Sequence, residues 1–447
     1  MPDQLKIFWI LLLIAVDTSK LYASENPHLL SFEKEIETLL EKSRSLSPDL
    51  KIVRNYRSQK NSERFSRFSQ FYPQANFSIK KEKDFFEERT AQFKALGLIA
   101  QDASWTIDYQ WTLLNFGLIQ STRKTMIESD KAQLDVENKE KEYPVSFKTN
   151  FLNYLLAQYK KAAVENSLKK AEANSREAKL GFELGQKTKI DVLRAEANTV
   201  SLDSKKTSFS DEVQNTKSKL LEYSGLAEND IISFNNLNEE DILSLINDIL
   251  QKSIQDSEIA FKLNSDLILS PLIKGIGLEE KINILSLASL TQKEWPDLKI
   301  QGSYNNTAES FSKAFSKPTR THTIAVILTL PLFGGGSLIS SNFESYFAKK
   351  QIQYSLAQKK LETQNQLNNT QIKIQALKTL VSSLSINVSQ FEELYRLTLK
   401  SYQLGKSSLV ELLEVQDNLL ESKINLAQSK IQFFTLSQNY LWQAGLQ

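Results

Sequence analysis

Few residues in this chain of 447 are equipped for chemistry, and most of the usual constellations can be struck out at once. There is no cysteine, which excludes disulfides, thiol catalysis and thiolate metal sites. The two histidines, His28 and His322, stand far apart and away from any acid-rich motif, so they read as ordinary surface positions and leave neither a metal cluster nor a proton relay. Serines are plentiful but lack a His-acid pair. The triplet Gly334-Gly335-Gly336 follows Pro331-Leu332-Phe333 without a Gly-Lys-Ser/Thr sequence, so it reads as a joint between strand and helix, not a phosphate cradle. An enzyme is therefore not expected, nor a cofactor or a bound metal. What remains are carboxylates in an unusual place. Asp191 and Glu411 each lie six residues beyond a Leu-Gly pair, and Glu414 follows Glu411 by three, which puts both glutamates on one helix face. By spacing alone, that face is a solvated one.

The positions of those acids are set by a duplication. F-E-L-G-Q-K-T-K-I-D-V-L near residue 182 reappears as Y-Q-L-G-K-S-S-L-V-E-L-L near residue 402. Leu184-Gly185 matches Leu404-Gly405, Asp191 matches Glu411 and Asn198 matches Asn418, all at an offset of 220 residues. An offset near half the chain marks a duplicated half, not a short solenoid repeat. Long helical patterns flank each Leu-Gly. Each glycine then reads as the residue of positive φ at which one helix ends and the next returns antiparallel.

Both halves also contain alternating segments. In the first, Ala75, Phe77 and Ile79 alternate with polar residues, and after a charged loop Trp105, Ile107, Tyr109, Trp111 and Leu113 alternate with Thr106, Asp108, Gln110 and Thr112. In the second, Leu298, Ile300, Gly302 and Tyr304 alternate with Lys299, Gln301 and Ser303. After a polar loop over Asn305 to Thr321, Ile324, Val326, Leu328 and Leu330 form a fourth segment. Apolar on one face and polar on the other over about ten residues fits a strand between lipid and a wet lumen, with Trp105 and Trp111 as interfacial aromatics. From Ser337 to Leu404 no glycine or proline occurs, enough for a helix of about 100 Å. Leu118 to Leu180 is similar except for Pro144, which is expected to kink or break it.

The ends and the charge complete the reading. Lys6, the apolar run Ile7–Val16 and Ala23 suggest a signal peptide over 1–23, too short in its apolar part to span a bilayer. Charge is balanced, 55 Lys+Arg against 53 Asp+Glu, so nothing favours nucleic acid. Two tandem repeats follow, 24–225 and 226–447. The first has strands near 74–80 and 104–114, the second near 297–304 and 322–331. Each ends in a long antiparallel helical hairpin, with tips at 184–185 and 404–405. Four membrane strands cannot close a barrel, and an open edge in lipid is costly, so three copies supplying about twelve strands are expected.

In this order of elements, in the duplicated Leu-Gly stretch with its acid, and in Pro-Leu-Phe-Gly-Gly-Gly before the second long helix, the chain resembles the TolC family of outer-membrane efflux proteins. The resemblance implies an α+β membrane protein: a homotrimer with a 12-stranded β-barrel in the outer-membrane lipid and an α-helical barrel in the periplasm. It implies an exit duct for efflux or type I secretion, served by a periplasmic adaptor (a membrane fusion protein) and an inner-membrane transporter. By the same resemblance Glu411 and Glu414 form the pore constriction, Asp191 and Tyr402 gate the entrance, and Leu184, Gly185, Leu404 and Gly405 meet the adaptor. An arginine of the family's gating network would fall at Ser407, where this chain has none. The alternative is a periplasmic coiled-coil scaffold or adaptor without channel activity.

Overall fold

A computed structural model describes residues 27–81, 103–234, 237–247, 249, 271–292, 295–308, 315, 320–333 and 335–445. The segment 1–23 read as a signal peptide and the loop following Lys81 lie outside the described residues.

Two helices open the chain, α1 (Pro27–Leu46) and α2 (Pro48–Ser69), each with proline at its first position, where the missing N–H costs nothing. Strands β1 (Gln74–Lys81) and β2 (Ala103–Asn115) lead into α3 (Phe116–Glu183), which turns into α4 (Lys189–Ser224). A 3-10 turn, Glu228–Phe234, and a short helix over 239–247 follow. The second half then repeats the order with α5 (Pro271–Thr291), β3 (Asp297–Ala308), β4 (Arg320–Thr329), α6 (Ser337–Gln403) and α7 (Leu409–Ala444). The fold is thus mostly helical, with two tandem repeats. No described helix is long and apolar enough to cross a membrane, which says nothing of strands.

Contacts divide the chain into two compact units, each drawing on both repeats: 1–52, 139–266 and 367–447 in one, 53–138 and 267–366 in the other. The second unit contains the sheet. Its order is β1-β2-β3-β4, antiparallel throughout, so β2 and β3 join the repeats while β1 and β4 are its edges. The register aligns the alternation across strands. One row reads Ala75, Tyr109, Gly302, Ile324, the next Phe77, Ile107, Tyr304, His322, and Trp111, Ile300, Val326 form a third. The intervening rows are polar: Ser78, Thr106, Asn305, Thr321, and Asn76, Asp108, Ser303, Thr323. The two sheet faces are therefore chemically distinct, because strand residues two apart share a side.

Three details differ from the sequence reading. A register shift between Thr112 and Leu114 takes Leu113 out of the alternation and sets Leu114 opposite Leu298. Strand β3 continues to Ala308 and β4 starts at Arg320, taking up both ends of the segment read as a polar loop; backbone pairing, not hydropathy, sets how far a hairpin zips. Finally, Pro144 does not break the helix: α3 runs through it. A mid-helix proline costs about 3 kcal/mol. Here its neighbours Tyr143, Val145 and Phe147 are all buried, and Tyr143, Phe147 and Phe151 stack one turn apart, so packing holds the segment helical.

The sheet also shows why Gly302 is glycine. Tyr109 folds across it, and a Cβ there would lie 2.3 Å from the end of the tyrosine ring. The Tyr109 hydroxyl is thereby brought within 2.8 Å of His322 Nε2 on β4. His322, an unremarkable histidine in the sequence, is a cross-strand partner.

Candidate functional site

The duplicated stretch folds twice into the same turn. After α3, Leu184 N–H donates to Leu180 O, Gly185 N–H to Phe182 O and Gln186 N–H to Gly181 O. After α6, Leu404 N–H donates to Lys400 O, Gly405 N–H to Tyr402 O and Lys406 N–H to Ser401 O. The glycines have φ of 74° and 71°, a left-handed conformation that a side chain disfavours. Leu184 and Leu404 point outward at 71% and 63% exposure, so each tip presents one bare leucine.

The returning helices begin with matching capping boxes. Thr188 Oγ1 accepts from Asp191 N–H, and the Asp191 carboxylate accepts from Thr188 N–H at 3.0 Å and from the Thr188 hydroxyl at 2.8 Å. Ser408 Oγ accepts from Glu411 N–H while the Glu411 carboxylate accepts from Ser408 N–H, both at 3.3 Å. This satisfies helix-end donors that would otherwise be orphaned. The Thr188 hydroxyl, then the Thr188 amide, hold the Asp191 carboxyl below the usual range. The six-residue interval from glycine to acid thus has a local cause: the acid is the third residue of the returning helix.

Tyr402, a gating residue by resemblance, sits in the last turn of α6. It is 2% exposed and packs with Ala178, Val192, Ala195, Leu409 and Leu412, side chains of both hairpins. Its hydroxyl has no hydrogen-bond partner among the described residues, and Asp191 is engaged with Thr188. The contact Tyr402 does make is with a cation, Lys187 Nζ, 4.1 Å from the ring centroid. Glu411 and Glu414 are both exposed, one turn apart on α7. Lys187 and its neighbour Gly181 did not stand out in the sequence. The signal was there in the comparison of the repeats, since position 401 is serine and position 407 is serine where the first repeat has Gly181 and Lys187.

At the sheet, Trp105 contacts the rings of Phe77, Tyr304 and Phe315, at centroid distances of 6.2, 5.4 and 6.5 Å. Trp111, six residues along β2, donates its indole N–H to Phe71 O at 2.9 Å. Near the start of β3, Trp295 packs on Phe116 at 4.9 Å. Aromatic side chains therefore recur along β2, around Trp105 and again at Trp111 six residues and about 20 Å further on at the usual strand rise.

This arrangement of elements is the fold of solved outer-membrane channels. The family model described as outer membrane efflux protein matches residues 288–438. No curated protein sequence matches the chain. Among solved structures, the chain is similar to the CmeC outer membrane channel of Campylobacter jejuni, with 15% identity, a TM-score of 0.70, and 92% of this chain and 85% of that one covered. It is also similar to the outer membrane protein VceC of Vibrio cholerae (14% identity, TM-score 0.65, 92% and 96% covered) and to the open state of the MtrE outer membrane channel of Neisseria gonorrhoeae (13%, 0.66, 92% and 90%). The resemblance to the TolC family drawn from the duplicated stretch is borne out.

Proposed function

We propose that this protein is an outer-membrane exit duct for efflux or type I secretion, acting as a homotrimer with an inner-membrane pump and a periplasmic adaptor. The observation that carries the reading is the sheet: rows led by Phe77, Tyr109 and Trp111 on one face, polar rows led by Asn76 and Ser78 on the other, and, among the described residues, two edge strands without a further partner. Residues on those edges are exposed, among them Phe77, Ile324, Val326 and Leu328. An unpaired strand edge in hydrocarbon costs several kcal/mol per backbone group, so edges must pair between copies. Three copies make twelve strands, within the range of closed barrels, with the polar face inward. Trp105 and Trp111 then serve as interfacial anchors. Exposed apolar residues along α6, including Phe343, Phe347, Tyr354 and Leu361, supply surface for neighbouring helices.

In this reading the tips form the periplasmic entrance. Leu184, Gly185, Leu404 and Gly405 meet the adaptor. Glu411 and Glu414 line the constriction, where carboxylates from three copies attract cations and hinder anions. Asp191 and Tyr402 belong to the gating region. Energy comes from the partner pump.

Single-channel recording of the purified protein in planar bilayers tests this. Glu411→Gln/Glu414→Gln is the informative variant, because glutamine removes charge yet can still close the capping box. Discrete steps with weaker cation preference in the variant are expected. Steps with unchanged selectivity would move the constriction elsewhere. A folded protein that never conducts and stays out of the outer-membrane fraction would overturn the duct in favour of a periplasmic scaffold.

A further inference from the structure

Two rings of the second hairpin are covered by cations of the first. Lys187 Nζ sits 4.1 Å from the centroid of Tyr402, and Lys170 Nζ sits 4.9 Å from that of Tyr395, seven residues earlier on α6. The traffic is one-way: both lysines come from the first repeat and both tyrosines from the second. A cation over an aromatic face is held by the ring's quadrupole, more firmly where water is excluded, and Tyr402 is the buried ring of the pair.

The backbone makes room for this contact. A Cβ on Gly181 would stand 2.5 Å from Lys187 Cγ, so the lysine stem lies against a position where a side chain would displace it. Gly181 sits within helix α3, at a place where glycine otherwise weakens a helix by about 1 kcal/mol relative to alanine. The second repeat has neither part of the device. Its matching residues are Ser401 and Ser407, and the Ser407 hydroxyl donates to Thr398 O at 3.3 Å.

We propose that Lys187, laid across Gly181 onto the face of Tyr402, is a clasp that holds the first hairpin tip against the second, and that its release lets the tips part. The clasp's role at an entrance rests on the duct reading above; the contact itself does not. It runs through the ring and not the hydroxyl, which distinguishes it from a hydrogen-bonded link between Tyr402 and Asp191. Among the described residues the Tyr402 hydroxyl has no partner to lose, so Tyr402→Phe keeps the clasp, whereas Tyr402→Leu and Lys187→Met remove it. Methionine retains the packing stem and drops the charge. Gly181→Val displaces the stem and leaves both partners in place.

The test combines amide hydrogen exchange of the full-length purified protein over 180–190 and 398–408 with single-channel recording of the same samples. Lys187→Met and Gly181→Val are expected to speed tip exchange by roughly 2- to 30-fold, the span of measured cation–π strengths, with Tyr402→Phe close to wild type. Open probability is expected to rise in the same variants. Unchanged exchange in Lys187→Met overturns the clasp even if Tyr402→Leu is too disrupted to interpret. Equal effects of Tyr402→Phe and Tyr402→Leu would move the link to the hydroxyl and overturn it too. Faster exchange with unaltered conductance sinks the gating role. If neither the variants nor the wild type conducts, the gating role falls and faster exchange alone identifies a purely structural contact; the duct reading falls as well only if the protein also stays out of the outer-membrane fraction.

Discussion

The two hairpin tips share a backbone and differ in almost everything around it. Residues 184–191 and 404–411 make the same turn hydrogen bonds, the same positive-φ glycine and the same capping box. Beyond that core the repeats part. The Lys179–Glu196 ion pair on the first hairpin is exposed at 2.9 Å, whereas the matching positions are Leu399 and Gln416, and Gln416 is buried and donates to Ser167 O. Arg194 stands where the second repeat has Glu414, and Lys189 where it has the buried Leu409. Duplication preserved what a short sequence needs to turn a chain around. Divergence then gave one tip cations and an exposed ion pair, and the other acids and buried faces. Local geometry and local chemistry are separable, and only the second can give two identical turns different work.

That comparison can be broken in graded steps. The largest effect is expected from the glycines. Gly185→Ala and Gly405→Ala each force a side chain into the left-handed region, at about 1–2 kcal/mol, although nothing lies within 4 Å of the added Cβ at either site. The two losses in thermal stability should be alike, and a difference above about 1 kcal/mol would show that the turns are not energetically equivalent. Next come the caps. Thr188→Ala and Ser408→Ala should each cost about 1 kcal/mol and fray the first turn of α4 or α7, visible as faster amide exchange at Asp191 or Glu411 alone. Fraying that spread to both tips from either substitution would mean the tips move as one body.

Smaller still, Lys170→Met should loosen the hairpins less than Lys187→Met does, because Lys170 is exposed and its ring contact is longer. Tip exchange measured side by side decides the order, and the reverse order would place the main contact at Tyr395. The least effect is electrostatic. The Asp191 carboxyl is held below its ordinary value by Thr188, so the charged form stabilises the first cap above the unfolded carboxylate pKa near 4. That contribution is lost as pH falls through the lower, folded value. Asp191→Asn should flatten the acid limb of the stability profile below about pH 4, and an unaltered limb would remove Asp191 from the account.

How far the chain could be read without coordinates varies from element to element. Leu-Gly followed six residues later by an acid is local information, and it folds as a local structure: glycine supplies the left-handed residue and the acid closes the cap three residues into the helix. The sheet was legible because alternation has a period of two, and the register keeps Phe77, Ile107 and Tyr304 in one row. Strand ends and the bulge at Leu113 were not, because pairing partners lie in other strands. Pro144 shows the reverse: a strong local signal, overruled by buried neighbours on both sides.

By itself, then, the sequence determined the duplication, the two turns, the helix lengths between breakers and the two-faced strands, since each depends on residues within a few positions of one another. Tertiary structure alone decided that a proline stays helical, that Tyr109 crosses Gly302 to reach His322, and that Lys187 passes Gly181 to cover Tyr402. The last two join residues too far apart in the chain for any spacing rule, and all three depend on how the neighbours pack. Packing of that kind exists only after the helices and strands have come together.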